Sequence, residues 1–247
     1  MSAWIIPVTI IILALIALSL IRIRIPRDQG KEGKDNFESV QAYDQISGSI
    51  LFCFFRSIVI RQLKKYRPQN ILLDIGCGPG YLAAAIGRSF PLLKVIGIDY
   101  SKDMIKLARK NFSSEESANN SNIFFQEANV NDLPFPSNSL DFLVSTLSLH
   151  HWPSVNQALR ELYRVLKPTG QLLIFDLRRD EPLLIYYAGH FVQHFLSPGP
   201  IDQVNGAIGS IWSSYTPPEM NSLISNTSFE QWSVKKGWAW VYVWAKK

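Results

Sequence analysis

The chain has 247 residues, 47% of them hydrophobic, and a formal net charge of +5, which suits one large core-bearing domain with a short extra segment. Apart from short groups such as Arg22/Arg24/Arg27 and Arg61/Lys64/Lys65/Arg67, the basic residues are scattered, so the clustered footprint of a nucleic-acid binder is missing. The two cysteines, Cys53 and Cys77, do not suggest a disulfide framework, and a reducing compartment fits better.

From Ala3 to Ile21 no residue is charged, and Ile, Leu, Ala and Val dominate. This run is close to the ~20 residues a helix needs to cross the hydrocarbon core of a membrane. Pro7 falls in the first turns and Trp4 at the edge, where an aromatic ring suits the interface. Arg22, Arg24, Arg27, Lys31 and Lys34 follow, which places the C-terminal side in the cytoplasm. The expectation is a single-pass anchor over residues 1–25 with the domain on the cytoplasmic side. A cleaved secretory signal fits less well, because no basic segment precedes the run and no small-residue cleavage site follows it. Residues 26–36 are polar, contain Gly30 and Gly33, and read as a linker to a domain over 37–247.

Phe37–Tyr66 reads as a helix. Strand and helix patterns then alternate: Asn70–Ile75 (strand), Tyr81–Phe90 (helix), Val95–Ile98 (strand) and Ser101–Asn111 (helix). Ser101 is the N-cap of that last helix, with Met104, Ile105 and Ala108 on one face. Ser113–Asn122 reads as a surface loop, Ile123–Gln126 and Leu140–Thr146 as strands, Val155–Leu166 as an amphipathic helix and Gln171–Asp176 as a fifth strand. The alternation predicts an α/β fold, a mostly parallel sheet covered by helices on both faces. Phe229–Lys235 and Trp238–Trp244 flank Lys236-Gly237 and predict a terminal hairpin, with Trp238, Trp240 and Trp244 on one face.

The most informative stretch is Leu72-Leu73-Asp74-Ile75-Gly76-Cys77-Gly78-Pro79-Gly80-Tyr81. A strand ends in a carboxylate, glycines follow at alternate positions, and a helix begins. Glycine lets the chain turn sharply and approach a ligand. The dinucleotide fingerprint G-x-G-x-x-G/A fails because Tyr81 stands at its last position, and the phosphate-loop pattern is absent. Asp74 would repel a pyrophosphate and suits a cationic group such as an amino-acid ammonium. Asp99 ends the second strand about 20 residues on, where a carboxylate accepts both ribose hydroxyls.

With these elements the sequence resembles the class I S-adenosylmethionine-dependent methyltransferases, in particular the group containing the ubiquinone/menaquinone-type enzymes. The resemblance extends through Asn129-Val130-Asn131-Asp132-Leu133-Pro134-Phe135, Ser139–Ser145, Leu149-His150-His151-Trp152 and Glu161–Pro168. It implies a Rossmann-like fold with a seven-stranded, mostly parallel sheet and an antiparallel C-terminal hairpin. It implies that Asp74, Gly76, Gly78 and Gly80 hold the methionine part of S-adenosylmethionine, with Asp99 on the ribose and Tyr100 beside the adenine. Asn129 stands where the group usually has an aspartate accepting from the adenine amino group. Val130 would offer its N–H to the ring, and Leu147 would line the cleft. Thr169 replaces a usual glycine, which affects a turn.

Methyl transfer from a sulfonium is an in-line displacement in which the protein mainly aligns donor and acceptor. A base is needed only if the nucleophile must lose a proton. His150, His151, Tyr43 and Asp176 are the candidates, weighed against a packing role for the histidines. Residues 180–216 read as an insertion covering the acceptor pocket, and their Leu, Ile, Tyr and Phe content suits a lipophilic acceptor such as a quinone or lipid. His190 and His194 share a helix face, but Phe191 breaks the zinc pattern, so no metal is expected. The expected activity is methyl transfer to a small molecule at the membrane surface. Two other readings are a catalytically silent S-adenosylmethionine-binding membrane module and a nicotinamide-dependent oxidoreductase, the latter disfavoured by Tyr81.

Overall fold

The computed structural model describes residues 5–23, 25–28, 37–112, 122–196 and 206–247. Among the described residues, three helices precede the first strand: α1 (Ile5–Leu20), α2 (Phe37–Gly48) and α3 (Ile50–Tyr66). Then come β1 (Ile71–Ile75), α4 (Tyr81–Ser89), β2 (Lys94–Asp99), α5 (Lys102–Phe112), β3 (Ile123–Glu127) and β4 (Leu140–Thr146). A short 3-10 turn (Leu149–His151) leads into α6 (Val155–Val165) and β5 (Leu166–Leu177). After these lie α7 (Leu183–Leu196), α8 (Gly206–Ser213), α9 (Pro217–Ser225), β6 (Gln231–Lys236) and β7 (Trp240–Lys246).

The strands form one seven-stranded sheet in the order β3-β2-β1-β4-β5-β7-β6. The first five are parallel, while β7 runs antiparallel to both β5 and β6. The predicted sheet and hairpin are therefore present. Strand order reverses between β1 and β4, and the crevice outside their carboxyl ends is where ligands bind in open α/β sheets.

Both faces of the sheet are covered, so neighbouring residues of one strand belong to different cores. Leu72 packs with Val59, Leu63, Ala83, Ile86 and Ala108 from α3, α4 and α5. Leu73 packs with Ala158, Leu159, Leu162 and Val165 from α6. Both leucines are fully buried, and each such side chain contributes about 1.5–3 kcal/mol. Ser101 caps α5 as expected: its Oγ accepts from Met104 N at 3.4 Å, and Met104, Ile105 and Ala108 form the buried face.

Three local expectations are corrected. The single helix over Phe37–Tyr66 is two helices meeting at a bend of 67°. Gly48 lies against the Tyr81 ring, where a Cβ would stand 3.2 Å from its hydroxyl oxygen, and Ser49 is extended. The hairpin strands begin about two residues later than expected, so Trp238 lies in the turn and not on the face shared by Trp240 and Trp244. Those two pack against α3: Trp240 meets Phe55 edge-on and Trp244 stacks on Tyr66 with ring centroids 5.5 Å apart. Thr169, expected in a turn, falls inside β5, at the irregularity between the Leu166 and Gln171 pairings with β4; its φ of 68 is a left-handed conformation that strains a β-branched residue and that the usual glycine would adopt freely.

The anchor expected over residues 1–25 is not supported. Among the described residues no single helix is long and apolar enough to cross a membrane. With 16 residues, α1 spans about 24 Å, short of the ~30 Å hydrocarbon core. Trp4, Arg24, Lys31 and Lys34 lie outside the described residues. The segment after α1 is fastened to the domain. Leu183 N donates to Ile21 O at 2.9 Å and Ile23 N to Glu181 O at 3.1 Å. Of the segment read as a linker, Pro26–Asp28 is described: Arg27 Nε donates to Ser213 O at 2.7 Å, and Asp28 N donates to Trp212 O at 3.1 Å. The loop read over Ser113–Asn122 lies outside the described residues except for Asn122, as does the stretch 197–205 of the insertion.

Candidate active site

The glycine loop is shaped by left-handed backbone at three positions: Gly76 (φ 69), Gly78 (φ 50) and Gly80 (φ 88). At Gly76 a side chain is excluded twice, by this conformation and by Ser148, whose side chain occupies the place a Cβ would take. The loop folds back on the end of β2. Gly76 N and Cys77 N both donate to Ile98 O, at 2.8 and 2.9 Å. Gly78 N donates to Asp99 Oδ2 at 2.9 Å, and Ser101 N donates to Asp99 Oδ1 at 2.9 Å. The two carboxylates singled out from the sequence thus flank one loop. A carboxylate oxygen can accept more than one hydrogen bond, so a carboxylate at this place is chemically suited to a ribose hydroxyl.

Asp74 is 1% exposed, and its Oδ2 is buried without a hydrogen-bond partner. Burial, then repulsion from Asp99, pushes its pKa up to about 7 against a lowering by the Ala83 N–H. A buried acceptor without a donor is costly unless a ligand supplies one. The folded pKa exceeds the ordinary 3.8, so Asp74 favours the ligand-free fold at low pH, and this contribution is lost as pH rises toward 7. A bound cation restores the ionised form.

Of the other cofactor candidates, Tyr100 is 79% exposed beside Asp99, and Val130 is buried. Asn129 Oδ1 accepts from Asn131 N at 2.9 Å, so its oxygen already closes a local turn. Leu147, at φ 52, is half-buried after β4, and its N–H donates to Phe175 O at 2.9 Å. Tyr43 on α2 lies over the loop, with a ring carbon 3.5 Å from where a Gly78 Cβ would be.

The ends of β4 and β5 bring together a pair 26 residues apart. Asp176 Oδ1 lies 2.7 Å from His150 Nδ1, and Asp176 Oδ2 accepts from His150 N at 3.2 Å. Both side chains are buried. A carboxylate can only accept, so Nδ1 carries the hydrogen and Nε2 is the basic nitrogen. The His151 ring lies 4.1 Å from that of His150, centroid to centroid, while Trp152 Nε1 donates to Ser148 Oγ at 3.1 Å. Ser148 therefore connects this turn to Gly76. Asp176 was legible as a candidate, but its pairing with His150 and the Ser148 contact were not. Away from this cleft, His190 packs edge-on against Tyr186, and burial and His194 lower its pKa.

A family model described as a methyltransferase domain matches residues 73–174, from Leu73 beside Asp74 to Ile174 in β5. The uncharacterized methyltransferase YcgJ of Bacillus subtilis is 34% identical over 50% of this chain, and the match spans about half of that relative, 47% of its length. The ubiquinone/menaquinone biosynthesis C-methyltransferase UbiE of Geotalea daltonii is 27% identical over 76% of this chain and 78% of its own. Over residues 73–174 the chain carries a methyltransferase domain, and these matches support a class I S-adenosylmethionine-dependent methyltransferase. The fold agrees. A solved Methanococcus maripaludis protein, described as a candidate methyltransferase of this kind, superimposes with a TM-score of 0.67. It covers 87% of this chain and 96% of its own at 21% identity.

The methyl donor of such methyltransferases is S-adenosylmethionine, and the residues present fit it. The buried acceptor on Asp74 suits the amino-acid ammonium, the left-handed Gly76–Gly80 turn keeps Cβ atoms away from the end of β1, and Asp99 suits the ribose. Binding the product analogue S-adenosylhomocysteine should therefore tighten as pH rises through 7 and should release a proton below it. Calorimetry in two buffers of different ionisation enthalpy reads that proton, and the Asp74→Asn variant should lose it.

Proposed function

We propose that the chain transfers the S-adenosylmethionine methyl group to a lipophilic small molecule at a membrane surface. The observation that carries the methyl-transfer part is the cradle of Asp74, three left-handed glycines and Asp99 at the switch point of the sheet. A lipophilic acceptor is supported by the similarity to UbiE, whose name places it in ubiquinone and menaquinone biosynthesis, and by the apolar character of α7 and α8. The membrane surface is supported by α1, whose Ile10, Ile12, Leu13 and Leu20 are 60%, 51%, 60% and 73% exposed.

When bound, S-adenosylmethionine supplies an electrophilic methyl group. The residues of this chain align, exclude water and move a proton. Alignment at a near-attack distance is worth about 7–11 kcal/mol in well-oriented systems. Tyr43 lies over the loop from α2, and α7 and α8 follow β5 at the same end of the sheet. His150, oriented by Asp176, serves as the base that accepts the acceptor's proton through Nε2. This base suits a hydroxyl or acidic carbon nucleophile, because a neutral amine needs no such help.

The test is release of S-adenosylhomocysteine in the presence of a panel of reduced quinones, phenols, phospholipids and water-soluble amines. Turnover confined to the lipophilic members supports the proposal. Turnover confined to water-soluble amines overturns the acceptor assignment.

A further inference from the structure

We propose that the carboxyl-end rim of the sheet is a docking face for a bilayer containing anionic lipid, so that the mouth of the active site opens onto the membrane. This deepens the membrane-surface reading above and rests on it.

The topology carries four separate pieces of chain to this rim. The bend between α2 and α3 lies against Tyr81, the first residue after the glycine loop, so Ile50 and Phe54 at the start of α3 belong to this end of the molecule. The β6–β7 turn belongs to it as well, because Trp240 is registered against Leu177, the last residue of β5. α7 begins a few residues beyond Leu177. The end of α1 is tied there too: Arg22 Nη1 donates to Trp238 O at 3.0 Å, and Ile21 O accepts from Leu183 N.

Each piece exposes a large apolar or aromatic side chain: Ile50 by 91%, Phe54 by 57%, Trp238 by 51%, Tyr187 by 59% and Leu20 by 73%. Scattered apolar exposure is ordinary, but convergence of four elements on the mouth of one cleft marks an interaction site. The choice of lipid over a protein partner rests on chemistry. Tryptophan and tyrosine favour the headgroup level, and apolar side chains ringed by basic ones suit an anionic membrane surface. Here Arg22, Lys235 and Lys236 supply the basic ring, all three exposed. Lys235 and Lys236 also line, with Lys65, Tyr242 and Trp244, a groove of about 340 Å³ running back from the rim. Nearby carboxylates do little to offset this charge. Asp180 is paired with Arg178 at 2.6 Å, and burial pushes Glu181 up to about 8 against Arg178 and Arg22. An α1 too short to span adds apolar surface at the same edge without dictating a transmembrane path.

The protein carries its own probe. Cys53 is exposed one residue from Phe54, while Cys77 is buried. A polarity-sensitive thiol dye on the full chain therefore reports the rim. With vesicles of phosphatidylcholine and phosphatidylglycerol the dye emission should shift to the blue, and the protein should sediment with them about tenfold better than with phosphatidylcholine alone. Phe54→Asp and Trp238→Ala should each weaken sedimentation by about tenfold and leave S-adenosylhomocysteine affinity unchanged. If the protein sediments but the dye emission stays put and both variants bind like the parent, α1 alone holds the membrane. The rim proposal then falls and the membrane-surface reading stands. If the parent chain sediments with neither vesicle, both fall, while intact S-adenosylhomocysteine binding keeps the methyl-transfer part.

Discussion

Asp176→Asn should cut methyl transfer by about 10²- to 10⁴-fold while leaving S-adenosylhomocysteine affinity and the acceptor KM within a factor of about two. The carboxylate accepts from His150 Nδ1 at 2.7 Å and fixes which imidazole nitrogen is basic. An asparagine of the same shape can present its amide hydrogens instead, which puts the proton on Nε2 and removes the base. His150→Ala should lose as much, and the double variant little more, because the two act as one unit. A role in packing alone gives another pattern: lower thermal stability and weaker binding, with kcat intact in the molecules that remain folded. Full turnover in Asp176→Asn would remove His150 from the chemistry.

Asp99→Ala should weaken S-adenosylhomocysteine binding by about 1.5–3 kcal/mol, roughly 10- to 150-fold. Two losses combine. The ribose hydroxyls lose a charged acceptor, and Gly78 N loses the partner that holds the loop at 2.9 Å. Asp99→Asn keeps one oxygen and should fall between the parent and the alanine variant. Calorimetry checks both. An unchanged affinity in Asp99→Ala contradicts the ribose assignment even if the fold is intact.

The sheet and the cradle were readable because each depends on short-range pattern. Alternating strands and helices dictate a parallel sheet, and Asp74 with its glycines sits within seven consecutive residues. What pattern could not provide depends on pairing across the sheet. His150 meets Asp176 only because β4 and β5 run side by side, with Thr146 registered against Phe175 one residue before the carboxylate. The bend after Gly48 looked like an ordinary glycine in an apolar run, since its cause is the Tyr81 ring from another helix. The late start of β7 has a similar origin: period-two tryptophans continue through the turn at Trp238, so side-chain alternation alone does not mark where the ladder begins. At the N-terminus, composition shows which solvent a helix avoids. It does not fix the length of that helix or reveal that the segment behind it is pinned to Ser213 and Glu181.

The cradle is also what separates methyl transfer from nicotinamide chemistry, since Asp74 is a buried carboxyl at the loop entrance that a cation ionises and a pyrophosphate cannot pair with. The most direct measurement is parallel calorimetric titration of the full chain with S-adenosylhomocysteine and with NADH. Micromolar, one-to-one binding of the former and none of the latter is the expected result. Binding of NADH without S-adenosylhomocysteine would contradict it.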